Sequence, residues 1–424
     1  MKKNSQRAVL MVVGMFLIQF FVFTMAANLV PVLQPDITAH YNIQQGFVLI
    51  YTIGIIVPAF AAPIIPTIYN KIGYKMGILL GVVLSAGGFM SLGLIPAGLP
   101  TQAMLAWCYV AAAIFNVGNS LISAMGIPSL LSQWFTEEEK GKYMGFAFMG
   151  ASAGNVFITM ALKSFMEPSP DNINKIITFL GCIGLVIGIA ICLFIIRKPT
   201  EEEYKEIHAS STTTSENGET IQSGYTMDEA MKTPIFKFFV IGLIFLGFYV
   251  SALSTQYATI VNELNGGLGS SIRLQVASLF SLCSIGGNLI GGILFDKIKQ
   301  IPTILVGGVL ALGAALSLLL ANAIEMHIAF GFSVFYGLSV FTYMLLPGYM
   351  TGYLFGQKEY SKILGINQMI FALGFAVGAL IFTQVRSAIG TIASLIVIMA
   401  FIGISYFSFL TATTIRNKQP KKEA

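Results

Sequence analysis

RKPTEEEYKEIHASSTTTSENGETIQSGYTMDEAMK, residues 197–232, is the long polar stretch of this chain, and it divides an otherwise apolar sequence in two. It is rich in Glu, Ser and Thr and holds too few large apolar residues to bury a core of its own. We read it as a linker. On each side the sequence is almost continuously apolar, broken only by short charged or Pro/Gly-containing turns, and the two sides look like repeats. The expected division is therefore a first bundle over 1–196, a linker over 197–232 and a second bundle over 233–424.

Composition agrees. Charged residues make up 10% of the chain and hydrophobic ones 55%, with a mean hydropathy of +0.79, whereas soluble domains are roughly one-quarter charged. The chain reads as a membrane protein. A net charge of +5 would hint at nucleic acid in a soluble protein, but here Lys and Arg fall at the ends of apolar runs, so no nucleic-acid partner is expected. Cys108, Cys182, Cys192 and Cys283 lie inside apolar runs without CxxC spacing or a neighbouring His. That pattern suggests neither a disulfide framework nor a metal site, and no cofactor is implied. Lys2, Lys3 and Arg7 precede an apolar run that continues to Val30. This is longer than the apolar part of a secretory signal, so a retained span is expected.

An apolar run of about 20 residues crosses a bilayer as a helix, because a helix satisfies its own backbone polar groups in lipid. Twelve runs qualify: 8–30, 46–69, 76–95, 103–125, 142–163 and 176–196 before the linker, then 235–256, 274–295, 302–320, 328–350, 362–384 and 391–413. The fold class expected is an all-α membrane protein of twelve transmembrane helices in two six-helix bundles. Loops on the side of the termini hold 20 of the 24 Lys and Arg, which places both termini and the linker in the cytoplasm. Lys163, Lys175, Arg273 and Arg386 are the exceptions, at outer helix ends or in outer loops. Thr136 with Glu139, Thr200 with Glu203 and Thr226 with Glu229 have the spacing of helix capping boxes. Trp134, at the inner end of the fourth span, suits an interfacial aromatic belt.

Two loops repeat. Between the second and third spans stands PTIYNKIGYK, with Asn70, Lys71, Gly73 and Lys75; between the eighth and ninth stands GILFDKIK, with Gly292, Leu294, Asp296, Lys297 and Lys299. Both resemble the G-x-L-x-D-[RK]-x-G-x-[RK] loop of the major facilitator superfamily. Pro66 and Asn70 replace Gly and Asp in the first copy, and Lys299 occupies the second Gly position in the other. Lys142, Gly145 and Gly154 of the fifth span match Lys362, Gly365 and Gly374 of the eleventh at identical spacing, a further sign of internal duplication. Gly150 with Gly154 and Gly374 with Gly378 form GxxxG faces that allow close helix approach. SQWFTEEEKGKYMGFAFMGASAG, with Trp134, Phe135, Lys140 and Gly141, and YTMDEAMKTPIFKFF before the seventh span are similar to segments of the oxalate:formate and monocarboxylate transporter branch.

The resemblance implies the major facilitator fold and a central cavity lined by the first, fourth, seventh and tenth spans. The polar side chains in the middles of those spans are then candidate substrate-binding groups: Gln19, Asn116 and Asn119 in the first bundle, Tyr249, Tyr336 and Tyr343 in the second. Such groups need partners in lipid, and bonding across helices is the competing role for each. Phe20, Phe23, Phe248, Phe332 and Phe335 lie along the same helices, as packing residues or as walls for an amphipathic solute. The two basic turns, with Asn70, Lys71, Gly73, Lys75, Gly292, Asp296 and Lys297, are candidates for a cytoplasmic gate. Branch relatives place a cation in the eighth or eleventh span to pair with carboxylate. Here the nearest candidates are Arg273 and Arg386, at the outer ends, where they would line an outer vestibule or reach for headgroups.

All 19 acidic and all 24 basic residues fall in expected loops or near helix ends, so no midplane proton carrier is expected. The expected function is a secondary active or facilitative transporter in the cell membrane, monomeric, moving a small organic solute by alternating access. The branch resemblance implies a monocarboxylate or related organic anion; the uncharged span interiors favour a neutral or amphipathic compound, as in drug-type efflux. A non-transporting sensor on the same scaffold is the rival from another class. No HExxH and no phosphate-binding loop is present, so neither an enzyme nor an ATP-driven pump is expected.

Overall fold

A computed structural model of the chain describes residues 3–418 except 44–45, 48, 97, 137–138, 167, 208–211, 215–219, 223 and 269. Among the described residues, ten helices are long and apolar enough to cross a bilayer. The last, Tyr360–Lys418, holds two spans, because Gly390 at φ 82°, ψ 170° interrupts its 59 residues. Counting it twice and adding the shorter apolar helix Leu49–Ala61 gives the twelve crossings that the apolar runs predict. The second span is less continuous than its sequence suggests. Pro58 lies within Leu49–Ala61, a turn follows at 62–64, and the chain resumes as Ile65–Ser91, itself broken at Gly73.

Two compact units result. The first comprises Met1–Trp134 with Phe146–Thr200, the second Phe135–Gly145 with Glu201–Ala424. This division departs from the one drawn on polarity in two ways. The linker beyond Thr200 belongs to the second unit, and so does the short segment 135–145 that begins the fifth span. The linker also carries structure: a helix Glu201–Ile207, two strands Thr212–Thr214 and Thr220–Gln222 paired antiparallel, and a helix Met227–Lys232. Its end docks on the turn between the tenth and eleventh spans. Tyr225 N donates to Phe355 O at 2.8 Å, and Met227 N donates to Glu359 Oε2 at 2.7 Å. The capping box expected at Thr226 forms: Glu229 N donates to Thr226 Oγ1 and Thr226 N donates to Glu229 Oε2.

Trp134 is not in an interfacial belt. It is 2% exposed, its Nε1 donates to Arg197 O at 3.0 Å, and the Arg197 guanidinium lies over its ring. The indole ties the end of the fourth span to the exit of the sixth.

Each unit packs through small residues where backbones meet. In the first unit a Cβ on Gly150 or Gly154 of the fifth span would fall 2.3 Å from Phe16 O or 2.6 Å from Phe20 O of the first span. In the second unit a Cβ on Gly374 or Gly378 of the eleventh span would fall 2.5 Å from Ile244 O or Phe248 O of the seventh. The same pairing of spans recurs, which is the internal repeat in three dimensions. Between these contacts the first unit holds a core that includes Met25, Leu29, Phe89, Cys108, Phe115, Ile158 and Ile177. Large apolar side chains such as Phe157, Val186, Phe194 and Phe407 point outward, as surfaces facing hydrocarbon require.

Candidate functional site

In the first unit, the candidate amides sit where helices depart from α geometry. Gln19–Phe23 and Met25–Leu29 of the first span and Ser120–Ala124 of the fourth are π turns, a form that concentrates at functional positions. Gln19 crosslinks two of them: its Nε2 donates to Ile122 O at 3.4 Å and its Oε1 accepts from Ser123 Oγ at 3.3 Å. Thr24 Oγ1 donates to Gln19 O and to Ala151 O, each at 3.0 Å. Gln19 is fully buried, so in this structure its amide holds helices rather than facing open space.

Asn116 and Asn119 form a pair one turn apart. Asn119 Nδ2 donates to Asn116 Oδ1 at 3.5 Å, Ser85 Oγ donates to Asn119 Oδ1 at 2.7 Å, and Asn116 Nδ2 donates to Ala112 O at 3.0 Å. Asn119 is buried and Asn116 half-buried. Gly54 of the second span makes room for the pair, since a Cβ there would stand 2.5 Å from Asn116 Nδ2.

In the second unit the tyrosines lie in an aromatic ladder. Tyr257, Phe332, Tyr336 and Tyr343 stack in succession with ring centroids 5.0, 5.0 and 6.1 Å apart, and Phe280 stacks on Tyr336 at 5.3 Å. Tyr336 is buried and its hydroxyl donates to Val250 O at 3.2 Å. Tyr249 is also buried, its hydroxyl 3.0 Å from Tyr406 Oη and 3.5 Å from Thr342 Oγ1. Tyr343, Tyr257 and Phe280 are only half-buried, which leaves ring surface at the margins of the ladder. An open concavity of about 440 Å³ lies against Gln275, Ser278, Leu279 and Leu282, one face of the eighth span.

The two cations expected at an outer vestibule, Arg273 and Arg386, differ. The Arg386 guanidinium pairs with Glu263, and its Nε donates to Thr391 Oγ1 at 3.0 Å. Arg386 therefore braces the seventh, eleventh and twelfth spans at the ends remote from the chain termini. Arg273, near the start of the eighth span, is exposed.

The two basic turns also differ. In the first, Asn70, Lys71 and Gly73 are exposed, and Lys75 Nζ donates to Leu193 O at 2.7 Å. In the second, Lys297 is exposed and Asp296 is engaged: its carboxylate accepts from Gly141 N at 3.0 Å and Lys142 N at 2.7 Å. Those are the leading donors of the helix Lys140–Phe165, which have no intrahelical acceptor and carry the positive end of the helix dipole. The contact is close because Gly141 and Gly145 face Asn288, Gly292 and Asp296. A Cβ on Gly145 would be 2.3 Å from Asn288 O, and one on Gly292 would be 2.3 Å from Gly141 O. Lys140 is fully buried beside this contact, with Nζ 5.0 Å from the Tyr349 ring centroid and 6.0 Å from that of Tyr360.

Sequence reasoning therefore missed Thr342, Tyr406, Ser85, Ser123 and Asn288, and singled out Lys140 only as part of a family-like segment. A signal existed for part of this set: Gly141-x-x-x-Gly145 opposite Asn288-x-x-x-Gly292-x-x-x-Asp296 is a pair of helical stripes at matching spacing. Nothing in the sequence marked Tyr406 or Thr342, which lie in apolar runs like their neighbours.

Comparisons with known proteins agree with the architecture. The fold is similar to that of the E. coli fucose:proton symporter, at a TM-score of 0.68 and 14% identity over 97% of this chain and 100% of that one. It is similar also to a proton:xylose symporter bound to 6-bromo-6-deoxy-D-glucose, at a TM-score of 0.72 and 10% identity over 99% and 96%. In sequence, a synaptic vesicular amine transporter of Rattus norvegicus is 24% identical over 392 residues, 90% of this chain and 68% of that protein. The oxalate:formate and monocarboxylate branch is not among these likenesses. The family model of the Major Facilitator Superfamily matches residues 15–379, and with twelve crossings, a duplicated turn and paired glycine contacts in each half, the chain belongs to that superfamily.

Proposed function

We propose that the chain moves a small, uncharged or amphipathic organic solute across the cell membrane by alternating access, as a facilitator or exchanger. The observation that carries this reading is the chemistry of the partly exposed groups. Asn116 at the edge of an amide pair and Tyr343 at the edge of an aromatic ladder offer hydrogen bonds and ring surface without a charge. Sugar symporters share the fold, and a neutral polar cargo would use such groups. Both termini are proposed to be cytoplasmic, from the distribution of Lys and Arg, and the working unit to be one copy of the chain.

A second reading, transport of a monocarboxylate or related organic anion, is favoured by one observation. Arg273 is exposed near the start of the eighth span, and a guanidinium there would attract a carboxylate. The amine cargo named for the rat relative would instead call for a carboxylate near the binding groups.

Purified protein in vesicles, loaded with one solute and assayed for exchange against a panel of neutral, anionic and cationic compounds, separates these readings. Exchange of neutral solutes that survives Arg273→Gln supports the first. Exchange restricted to carboxylates and abolished by Arg273→Gln supports the second. Saturable binding with no flux for any compound would overturn transport altogether.

A further inference from the structure

Asn288 is 1% exposed, and neither its Oδ1 nor its Nδ2 has a hydrogen-bond partner among the described residues. Buried side-chain amides in native proteins nearly always find partners, so such a group calls for a physical explanation. Its position supplies one. Asn288, Gly292 and Asp296 recur every four residues and so share one face of the eighth span, and that face meets Gly141 and Gly145 at the start of the fifth. At one end of the stripe, Asp296 accepts from Gly141 N and Lys142 N. About 12 Å away along the helix, Asn288 is closed off from water with its amide unanswered.

We propose that Asn288 is a release device, an unpaired amide that weakens the contact between segment 135–145 and the eighth span so that the contact opens readily. Asp296 supplies the closing interaction, because a carboxylate on two free helix donors is favourable. Asn288 opposes it, because a buried amide regains its hydrogen bonds only when the contact parts and water reaches it. The two residues act in opposite directions on one equilibrium. Replacing Asn288 with an apolar residue should therefore hold the contact closed longer, the reverse of what removing Asp296 does. The bearing of this equilibrium on turnover rests on the transport reading; the equilibrium itself does not.

Hydrogen exchange at the amides of Gly141 and Lys142 reads the contact directly. Both lie in the first turn of their helix, where no intrahelical acceptor exists, so their protection derives from Asp296. Lys140 N, bonded to Thr136 O at 3.0 Å, serves as an internal reference. The experiment uses the full chain in detergent or nanodiscs without cargo, so absence of transport would not affect it. Asn288→Leu, similar in branching, and Asn288→Ala, smaller, are compared with the parent. Exchange at Gly141 and Lys142 should slow roughly tenfold in the variants, the scale of one unsatisfied buried polar group, and should quicken in Asp296→Asn. Should the leucine fail to fold, the alanine variant decides. Exchange at those two amides as fast as or faster than in the parent, in folded protein, would mean that a water or another group satisfies Asn288, and would overturn the proposal.

Discussion

Lys299→Gly should stabilise this protein although it removes a side chain and a charge. Lys299 adopts φ 66°, ψ −172°, a region that residues with a Cβ avoid. Its counterpart in the duplicated turn, Gly73, adopts nearly the same geometry, φ 80°, ψ 162°, without penalty. Occupying that region costs a non-glycine residue on the order of 1–3 kcal/mol. Glycine returns part of this, roughly 0.5–1 kcal/mol, through its larger unfolded freedom, leaving a net gain of about 0.5–2 kcal/mol. The turn itself should persist, because the Lys299 carbonyl accepts from Thr303 Oγ1 at 2.6 Å whatever side chain stands there. Thermal unfolding in detergent measures the effect, with Lys299→Ala as the control that removes the charge and keeps the strain. The reciprocal change, Gly73→Lys, should destabilise by a similar amount through the backbone alone, since a Cβ at Gly73 meets nothing within 4 Å among the described residues. If Lys299→Gly unfolds no later than Lys299→Ala, and Gly73→Lys unfolds with the parent, the shared turn geometry has no energetic consequence and the reasoning fails.

Asp296→Asn keeps one acceptor and loses the charge, so the hold on Gly141 and Lys142 should weaken by about 1–3 kcal/mol; unchanged solute exchange in vesicles at equal protein level would remove Asp296 from any gating role. Gly378→Val forces a side chain against Phe248 O, 2.5 Å from where the Cβ must sit, and should cost about 1–3 kcal/mol, read as a lower unfolding midpoint; a midpoint equal to the parent's would show that the seventh and eleventh spans are less closely packed than described. Asn116→Ala and Tyr343→Phe should each weaken binding of a neutral cargo several-fold, about 1 kcal/mol for one lost hydrogen bond, measured by equilibrium binding; parental affinity in both would place the cargo elsewhere. The Lys362 ammonium and the Met227 N–H hold the Glu359 carboxyl below its usual range. A depressed folded value means stability that is present above the ordinary carboxylate range and lost as pH falls through the folded value. Proteolysis near residues 224–232 should therefore rise in acid, and Glu359→Gln should show the raised rate already at neutral pH.

The crossings were legible in the sequence because lipid demands long apolar runs and water demands polar turns. The duplicated turn was legible for a related reason, since Asp296 and Gly73 are conspicuous among apolar neighbours. Rotation was not legible. In a span that is apolar all round, periodicity carries little information about which face meets protein, so nothing distinguished Tyr336, buried and bonded to Val250 O, from Tyr343, half-buried. Gln19 illustrates the same limit. Its residue type signalled a need for partners, but its partners, Ile122 O and Ser123, stand more than 100 residues away. Composition likewise marked the linker as too polar to form a core and could not reveal that its end docks on Phe355 and Glu359.

The π turns in the first and fourth spans bear on how such a chain changes over generations. A π turn accommodates one residue more than the α-helical path it interrupts, so Gln19–Phe23, Met25–Leu29 and Ser120–Ala124 are where a single codon has room to be gained or lost without breaking the helix. Losing one would turn everything beyond it by about 100° and draw it in by about 1.5 Å. A lineage could in that way present a different face of the same span to its cargo in a single step, with the lipid-facing surface remaining apolar throughout.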